Sequence, residues 1–389
     1  MRKTLLAASA ALALCSMTGA ASAADVELYG LINTGFSYVH SDADVAGADN
    51  KDSFTMETGK EFGSRWGIRG TEDLGNGYKV GFVLESGFRS DDGTFDQSGK
   101  LFGRESRINL MTPYGRLSFG VLPLFGSTLG ADGLFRAIDP LFANYTQAFG
   151  SGFASASSWT RVDNAVSYVT PTFGGVTGYA MYSFKNSASG QGTEGKGGEA
   201  DRYASLALRY KAGAFESVLV ADTTMYGSAR TGANAHEDNG YTVTLGGNYT
   251  FGNGLKLLAF AQNFQDQELN AARGRGGVAL DGIKHYADLT NGENGNYGFV
   301  DGWGGSLGVN FPLLGGTAKG QVAYRDMDNQ DDVNFKRWTV CAGYDYNLSK
   351  RTAVYAMTGW TQEKIENTKA NKEGKPSGYE FTFGMVHRF

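Results

Sequence analysis

Hydrophobic and polar residues alternate along several stretches of the chain. Residues 241–251 place tyrosine, valine, leucine and phenylalanine mostly at alternate positions, with threonine, glycine and asparagine between them. Residues 302–311, 337–346 and 378–389 show the same alternation, with one apolar face and one small or polar face. A period of two residues is typical of β-strands, so these segments are predicted to be strands.

The segments between the predicted strands are of two kinds that follow one another in turn. One kind is short and carries the glycine, asparagine and proline of tight turns, and the other is long, polar and charged. The short connections are 73–77, 113–115, 171–175, 211–213, 251–254, 312–316 and 347–350. The long connections are 41–53, 90–100, 122–160, 187–199, 228–239, 266–296, 327–333 and 363–377. Seven short and eight long connections separate sixteen strands, which is the layout of a bacterial outer-membrane barrel.

The predicted fold is therefore all-β, a 16-stranded antiparallel transmembrane β-barrel, and a barrel of that width leaves a water-filled channel. A soluble β-sandwich, with its apolar faces packed inward, is the alternative fold. The position of the aromatic residues favours the barrel. Tyr344 and Tyr346 lie just before a turn, Phe251 lies at a turn, and Tyr379 lies next to a long loop. Aromatic residues at strand ends are typical of the two membrane interfaces of a barrel.

The composition of the 389-residue chain agrees with long strands and excludes several other classes. Gly accounts for 57 residues and Pro for only 6, which is not the profile of collagen or of a low-complexity linker. The aromatic fraction of 13% is too high for a disordered chain. The formal charge of −5 and the lack of long Lys/Arg runs argue against nucleic-acid binding.

The first 23 residues form a predicted signal peptide. A basic start is followed by the apolar residues 5–14, and residues 21–23, Ala-Ser-Ala, supply a small-residue cleavage site. The remaining residues, 24–389, are predicted to form one barrel domain. Cleavage would leave Cys341 as the only cysteine, which excludes an internal disulfide and a cysteine metal site.

Five short motifs are spread from the first predicted strand to the last residue. They are Val26-Glu-Leu-Tyr-Gly30, Ser64-Arg-Trp-Gly-Ile-Arg-Gly-Thr-Glu-Asp-Leu74, Val80-Gly-Phe-Val-Leu-Glu-Ser-Gly87, Leu101-Phe-Gly-Arg104 and Val386-His-Arg-Phe389. In this order and spacing, the motifs resemble the general, non-specific porin family of Gram-negative outer membranes. The resemblance implies an outer-membrane location among lipid and lipopolysaccharide, homotrimers, and a third extracellular loop that folds into each pore. It also implies that the terminal Phe389 is recognised by the barrel assembly machinery.

The resemblance places three arginines on the barrel wall at the narrowest part of the pore, namely Arg65, Arg104 and Arg161. Alternation supports the first, because Arg65 falls on the water-facing side of its strand. The alternation does not by itself place Arg104 on the water-facing side. Glu105 and Arg107 are charged residues on the opposite face of the same alternating segment. The alternative role for each arginine is that of a solvated wall residue that does not shape transport.

The segment 122–160 is the candidate constriction loop. It is rich in apolar residues, and its only charged residues are Asp132, Arg136 and Asp139. Acids on this loop, opposite the wall arginines, would create a field across the pore that selects solutes by charge. The Pro-Glu-Phe core that is usual in the family is replaced by residues 140–142, Pro-Leu-Phe, which leaves open which acids reach the pore. The alternative is that both aspartates only cap turns.

Four further charged residues are predicted to line the lumen away from its narrowest point. Arg69, Lys79, Glu85 and Arg89 all have the water-facing parity of their strands. If Glu85 lies near the narrowest point, it would offset one arginine charge there.

Catalytic and metal-binding chemistry find little support in the sequence. None of the four histidines belongs to a nucleophile–base motif of the kind that a hydrolase needs. The acidic segment 326–332 resembles a calcium loop but lacks its central glycine and its closing glutamate. No enzyme activity, metal or cofactor is therefore expected.

The sequence thus predicts an outer-membrane diffusion porin for small hydrophilic solutes and ions. A substrate-specific channel on the same barrel and a structural or adhesive surface barrel are the alternatives. The charges predict a weak preference for anions, because the wall arginines and Arg136 outnumber Asp132 and Asp139.

Overall fold

The computed structural model describes residues 25–42, 44, 50–141, 146, 149–150, 154–156, 161–232, 235–270 and 296–389. The predicted signal peptide, 1–23, lies outside the described residues. So do most of the predicted loop 266–296 and parts of the loops 41–53, 122–160 and 228–239.

The described residues form sixteen barrel strands, two of which are interrupted. In chain order they are β1 (Asp25–Asp42), β2a (Lys51–Thr58) with β2b (Arg65–Gly75), β3 (Tyr78–Gly87), β4 (Glu105–Thr112), β5 (Gly115–Pro123), β6 (Arg161–Val169), β7 (Val176–Ser183), β8 (Arg202–Ala212), β9 (Phe215–Met225), β10 (Gly240–Thr250), β11 (Lys256–Asn270), β12 (Asn296–Leu313), β13 (Gly316–Asn329), β14 (Val333–Asn347), β15 (Thr352–Asn367), and β16a (Lys372–Gly374) with β16b (Ser377–Arg388). The two parts of β2 pair with one and the same strand, β1, and so make up a single barrel strand. The same holds for the two parts of β16, which both pair with β15.

Every strand pairs antiparallel with the next one along the chain. The last strand returns to the first, since β16b pairs with β1 from Arg388 opposite Leu31 to Ser377 opposite Asp42. The sheet is therefore closed and has no free edge along this seam. The predicted 16-stranded antiparallel barrel is confirmed.

Short turns and long connections alternate around the barrel in the predicted order. The turn between β2b and β3 shows the local chemistry, because Asn76 and Gly77 have φ angles of 52° and 82°. Such positive angles favour asparagine and glycine. Among the described residues, no helix is long and apolar enough to cross a membrane.

The apolar faces of the strands point away from the barrel interior. On β10, Leu245 is 61% exposed whereas its neighbour Thr244 is 0% exposed. The same contrast runs through β14, where Trp338 and Val340 are exposed and Thr339 is buried. A sandwich would bury the apolar set, so this orientation decides in favour of a barrel whose outer surface faces lipid.

Apolar residues in the described part of the 122–160 loop pack against side chains of the strands. It contains a short 3-10 helix, Leu134–Ala137, which contacts β9 and β10. Its residues share one buried cluster with side chains of the inner wall, namely Leu124, Phe125, Leu134, Phe135, Ala137, Ile138 and Ala154 from the loop and Val162, Ala165, Tyr179, Met181, Tyr203, Ala207, Val218, Val220, Phe260 and Ala323 from the strands, with Leu122 at the end of β5. Burial of this much apolar surface holds the described part of the loop against the wall.

Strand β2 is interrupted by six residues that the alternation did not predict. We call residues 59–64, between β2a and β2b, the β2 insertion. Its Lys60 and Glu61 are only 2% and 4% exposed. Two charged side chains buried next to each other in a loop are unusual, because charged residues are seldom fully buried unless they are paired.

Candidate functional site

Glu85 is the centre of a charged cluster on the inner wall. It lies near the end of β3, and its carboxylate accepts a 2.6 Å hydrogen bond from Nε of Arg104. Tyr29 on β1 donates its hydroxyl to the other carboxylate oxygen at 3.0 Å. Nη1 of Arg65, at the start of β2b, lies 4.0 Å from Glu85. Three neighbouring strands and the residue before β4 therefore bring two of the predicted arginines onto one carboxylate.

Arg104 reaches this cluster because it lies just before a strand and not in one. Strand β4 begins at Glu105, so the alternation that governs Glu105 and Arg107 does not extend to residue 104. The Arg104 side chain is 1% exposed. Its backbone carbonyl accepts a hydrogen bond from Nε of Arg161, the first residue of β6. Arg65, Arg104 and Arg161, far apart in sequence, thus lie together on the wall.

Arg136 is the charged residue that the 122–160 loop exposes beside this wall. Its Nε donates a 2.7 Å hydrogen bond to the carbonyl of Thr128 within the same loop. The side chain is exposed and interacts electrostatically with Glu85, Glu105 and Arg104. A fourth cation thus comes close to the three wall arginines, and it comes from the loop.

Asp132 of the loop is bound to the wall by two arginines. Its carboxylate accepts a hydrogen bond of 2.5 Å from Arg116 on β5 and one of 3.1 Å from Arg107 on β4. Nε of Arg107 is also 3.1 Å from Glu105. The negative charge of Asp132 is therefore largely compensated by its own partners.

Asp139 lies in the tight turn that follows the 3-10 helix. The residue is 2% exposed, and its carboxylate accepts a hydrogen bond of 3.2 Å from the backbone N–H of Leu141. Its own N–H donates to the carbonyl of Phe135 at 2.9 Å. These contacts are those of a turn-stabilising aspartate.

The sequence reasoning missed Glu105, Arg107 and Arg116 as members of this cluster. With them, the cluster in the described part of the chain contains six arginines and three carboxylates. Glu105 and Arg107 have the water-facing parity of β4, and that signal was available. Arg116 gave no such signal, because its role depends on a loop residue sixteen positions away.

The other predicted lumen residues lie outside this cluster. Arg69 pairs with Glu27 at 2.7 Å, and both side chains are more than half exposed. Lys79 pairs with Asp73 at 3.4 Å beside the first short turn. Arg89, just past the end of β3, binds Asp91 at 3.1 Å and Asp92 at 3.3 Å.

Phe389 closes the barrel seam at the short-turn end. Its backbone N–H donates to the carbonyl of Gly30 at 3.1 Å, and the N–H of Gly30 donates back to the carbonyl of Phe389 at 3.1 Å. The Phe389 ring covers Gly30 so closely that any side chain at position 30 would collide with it. The ring remains 46% exposed on the outer surface.

Fold and lumen define a water-filled diffusion channel across an outer membrane. The sequence model of the Gram-negative porin family matches residues 8–366. The chain is 33% identical over 414 aligned residues to an outer membrane porin protein of Bordetella pertussis, and the match covers 100% of both chains. It is 30% identical to outer membrane porin protein 32 of Delftia acidovorans, across 95% of this chain and 92% of that one.

The solved structures lead to the same class. An anion-selective porin from Comamonas acidovorans superimposes with a TM-score of 0.67 at 26% identity, over 94% of this chain and 100% of that one. The chain belongs to the Gram-negative porin family. It is an outer-membrane channel for the passive diffusion of small solutes and ions and has no enzymatic role.

Proposed function

We propose that this porin passes anions in preference to cations through a constriction formed by Arg65, Arg104 and Arg161 on the wall and Arg136 on the 122–160 loop. The proposal rests on one observation, namely that both aspartates of the loop are already held by partners in the protein. Asp132 is bound by two arginines, and Asp139 is buried in a turn. With the loop acids engaged in this way, cations remain on both sides of the passage.

Local charges outweigh the net charge of the chain in setting ion selectivity. The formal charge of −5 is spread over a large molecule, and salt screens exposed charges beyond about 8–10 Å. A narrow passage with low-dielectric walls concentrates the field of the few charges that line it. Glu85 does not reverse the sign, since it lies between Arg104 and Arg65 and compensates only one of them.

A relative supports the same direction of selectivity. The Comamonas acidovorans porin that superimposes over nearly the whole chain is described as anion-selective. We infer that the present chain shares that preference, with small hydrophilic anions as its favoured solutes.

The zero-current potential of reconstituted channels in a KCl gradient tests the proposal. We expect a zero-current potential whose sign corresponds to chloride preference. We expect Arg65→Ala to bring this potential closer to zero. Arg69→Ala is the matched control, because Arg69 lies four residues further along the same strand, is exposed and pairs with Glu27. Clear cation preference, or an Arg65→Ala channel with unchanged potential, would contradict the proposal. Saturable block by a single solute would point to a substrate-specific channel.

We also propose that three chains associate through the outer face of β1 and its neighbours. Leu28 and Ile32 are 64% and 44% exposed on that face. Phe36 stacks on Phe54 with ring centroids 5.7 Å apart, and it contacts Phe383 at 5.6 Å. An apolar surface of this kind fits either lipid or a second copy of the chain. Electrophoresis in mild detergent distinguishes them, and we expect a trimer band that heating converts to monomers.

Two further partners belong to the same proposal. The barrel assembly machinery would recognise the last strand through Phe389, whose ring is exposed on the outer surface. Lipopolysaccharide would contact the aromatic residues at the long-loop end of the barrel. There the ring centroid of Tyr324 lies 4.6 Å from that of Trp338 and 5.4 Å from that of Trp303. Aromatic rings at this level are typical of a membrane interface.

A further inference from the structure

The β2 insertion leaves the barrel wall without leaving β1 unpaired. Where the insertion departs, the N–H of Gly59 donates to the carbonyl of Asn33 at 2.9 Å. Where it returns, Oγ of Ser64 accepts from the N–H of Asn33 at 3.0 Å and donates to the same carbonyl at 3.0 Å. A serine hydroxyl thus replaces the missing strand neighbour. Because the backbone groups of Asn33 are satisfied, the interruption is a stable feature of the fold.

Two buried ion pairs fasten the insertion to distant strands. Nζ of Lys60 lies 3.3 Å from Glu380 on β16b, which also accepts a 2.6 Å hydrogen bond from Ser37. Glu61 lies 3.3 Å from Nζ of Lys319 on β13. Lys60, Glu61, Lys319 and Glu380 are all at most 8% exposed. Breaking such a pair leaves a buried charge without its partner, which is far more costly than losing an exposed pair.

The insertion also packs on a buried cluster that the described part of the 122–160 loop shares. Phe62 packs against a buried cluster that includes Leu141 and Phe149 of the loop and Tyr355 and Met357 of β15. Arg388 on β16b lies over the Phe62 ring, with its guanidinium carbon 5.3 Å from the ring centroid. The Phe62 side chain thus connects the last strand with the buried cluster to which these two loop residues belong.

The last contact of the insertion is with the arginine cluster. The carbonyl of Gly63 accepts a 3.0 Å hydrogen bond from Nε of Arg65. This bond fixes the plane of the Arg65 guanidinium while Nη1 faces Glu85. A shift of the insertion would therefore move a charge of the constriction directly.

We propose that the β2 insertion is the positioning element of the constriction and acts on both of its sides at once. Gly63 orients Arg65 on the wall, and Phe62 packs on the buried cluster that contains Leu141 and Phe149 of the 122–160 loop. The Lys60 and Glu61 ion pairs keep the insertion itself in place. Loosening the insertion then changes how firmly the loop is held, and the channel closes more readily when a voltage is applied.

Single-channel recording in symmetric KCl tests this with Glu61→Gln. That variant keeps the shape of the side chain, and Lys319 retains Asp345 as a partner, so folding is the least disturbed. We expect noisier open channels and closure at lower voltage, with the open–closed equilibrium shifted about tenfold or more. Lys60→Met and Phe62→Ala should act in the same direction.

Glu216→Gln is the matched control. Glu216 is a carboxylate on β9 that binds Arg209 at 2.7 Å, away from the insertion. If Glu216→Gln destabilised the open channel as much as Glu61→Gln, the effect would be one of charge alone and the proposal would be overturned. A folded Glu61→Gln trimer with wild-type closure would overturn it as well. Because these recordings use equal salt on both sides, their outcome does not depend on whether the channel prefers anions.

Discussion

The carboxylate of Asp132 lies 2.5 Å from Nη2 of Arg116, so an acid of the 122–160 loop is bound to the wall. Arg107 makes a second contact with the same oxygen at 3.1 Å. The pairing turns a loop charge into an anchor for the loop. It also leaves Arg136 as the exposed charge of this part of the loop.

Asp132→Asn should loosen the loop as well as change the charge of the lumen. The substitution leaves two arginines without their shared carboxylate, and we expect a loss of about 1–3 kcal/mol in stability. The melting temperature of the folded barrel and the rate of proteolysis within 122–160 measure the effect. Asp326→Asn is the control, since Asp326 faces Lys336 at 4.0 Å on the outer surface. Equal effects of the two substitutions would show that Asp132 is no anchor.

Arg136→Ala should reduce the anion preference without a large change in stability. The residue is exposed, and its Nε donates to the carbonyl of Thr128 within the loop. Removing it takes away the positive charge on the loop side of the passage. The zero-current potential in a KCl gradient should move toward zero, whereas Arg351→Ala, in an exposed turn, should leave it unchanged. A potential unaffected by Arg136→Ala would exclude this residue from the selectivity mechanism.

Phe389→Ala should lower the amount of barrel that reaches the outer membrane. The ring packs over Gly30 at the seam where β16b meets β1, and the terminal aromatic is also the proposed assembly signal. Phe381→Ala is a matched control, because Phe381 is similarly exposed on the same strand but lies within it. Immunoblotting of outer-membrane fractions should show less Phe389→Ala protein than Phe381→Ala protein. Equal amounts would mean that the terminal position has no special role in assembly.

The strands and their connections were predictable because each depends on neighbours in sequence. Alternation over ten residues sets which side chains face lipid, and turn residues such as Asn76 and Gly77 act locally. The pattern correctly separates the outward-facing side chains of β10, such as the exposed Leu245, from the inward-facing ones, such as the buried Thr244. A barrel strand needs no distant partner to specify its two faces.

The charged cluster and the β2 insertion were not fully predictable, because their contacts join residues far apart in sequence. Lys319 and Glu61 are separated by 258 positions, and no local pattern links them. The glycines at positions 59 and 63, with a charged pair between them, were the available signal that the strand is interrupted. The position of Arg104 could not be predicted from alternation for a different reason. Arg104 precedes the strand that begins at Glu105, so the alternation of that strand does not apply to it.

The closure of the channel should depend on pH through Glu61. The pKa of Glu61 is raised to about 7, chiefly because the carboxyl group is buried; Lys319 lowers this pKa and the nearby Asp345 raises it. A carboxyl group with a raised pKa is charged above that value and neutral below it. Lowering the pH from about 8 to about 5.5 should therefore remove the negative charge that holds Lys319 and loosen the insertion.

We therefore expect wild-type channels to close at lower voltage at the acidic pH than at the alkaline one. Among the described residues, the titratable groups that face Glu61 include Lys319, Asp345 and Tyr355. The neighbouring Lys60 lies close to both Glu380 and Glu57. Glu61→Gln mimics the neutral form, so its closing voltage at about pH 8 should already match that of the acidified wild type. Recording both channels across this range measures the difference. If Glu61→Gln retained the full pH dependence, another group would be responsible, and the insertion would not be controlled by Glu61.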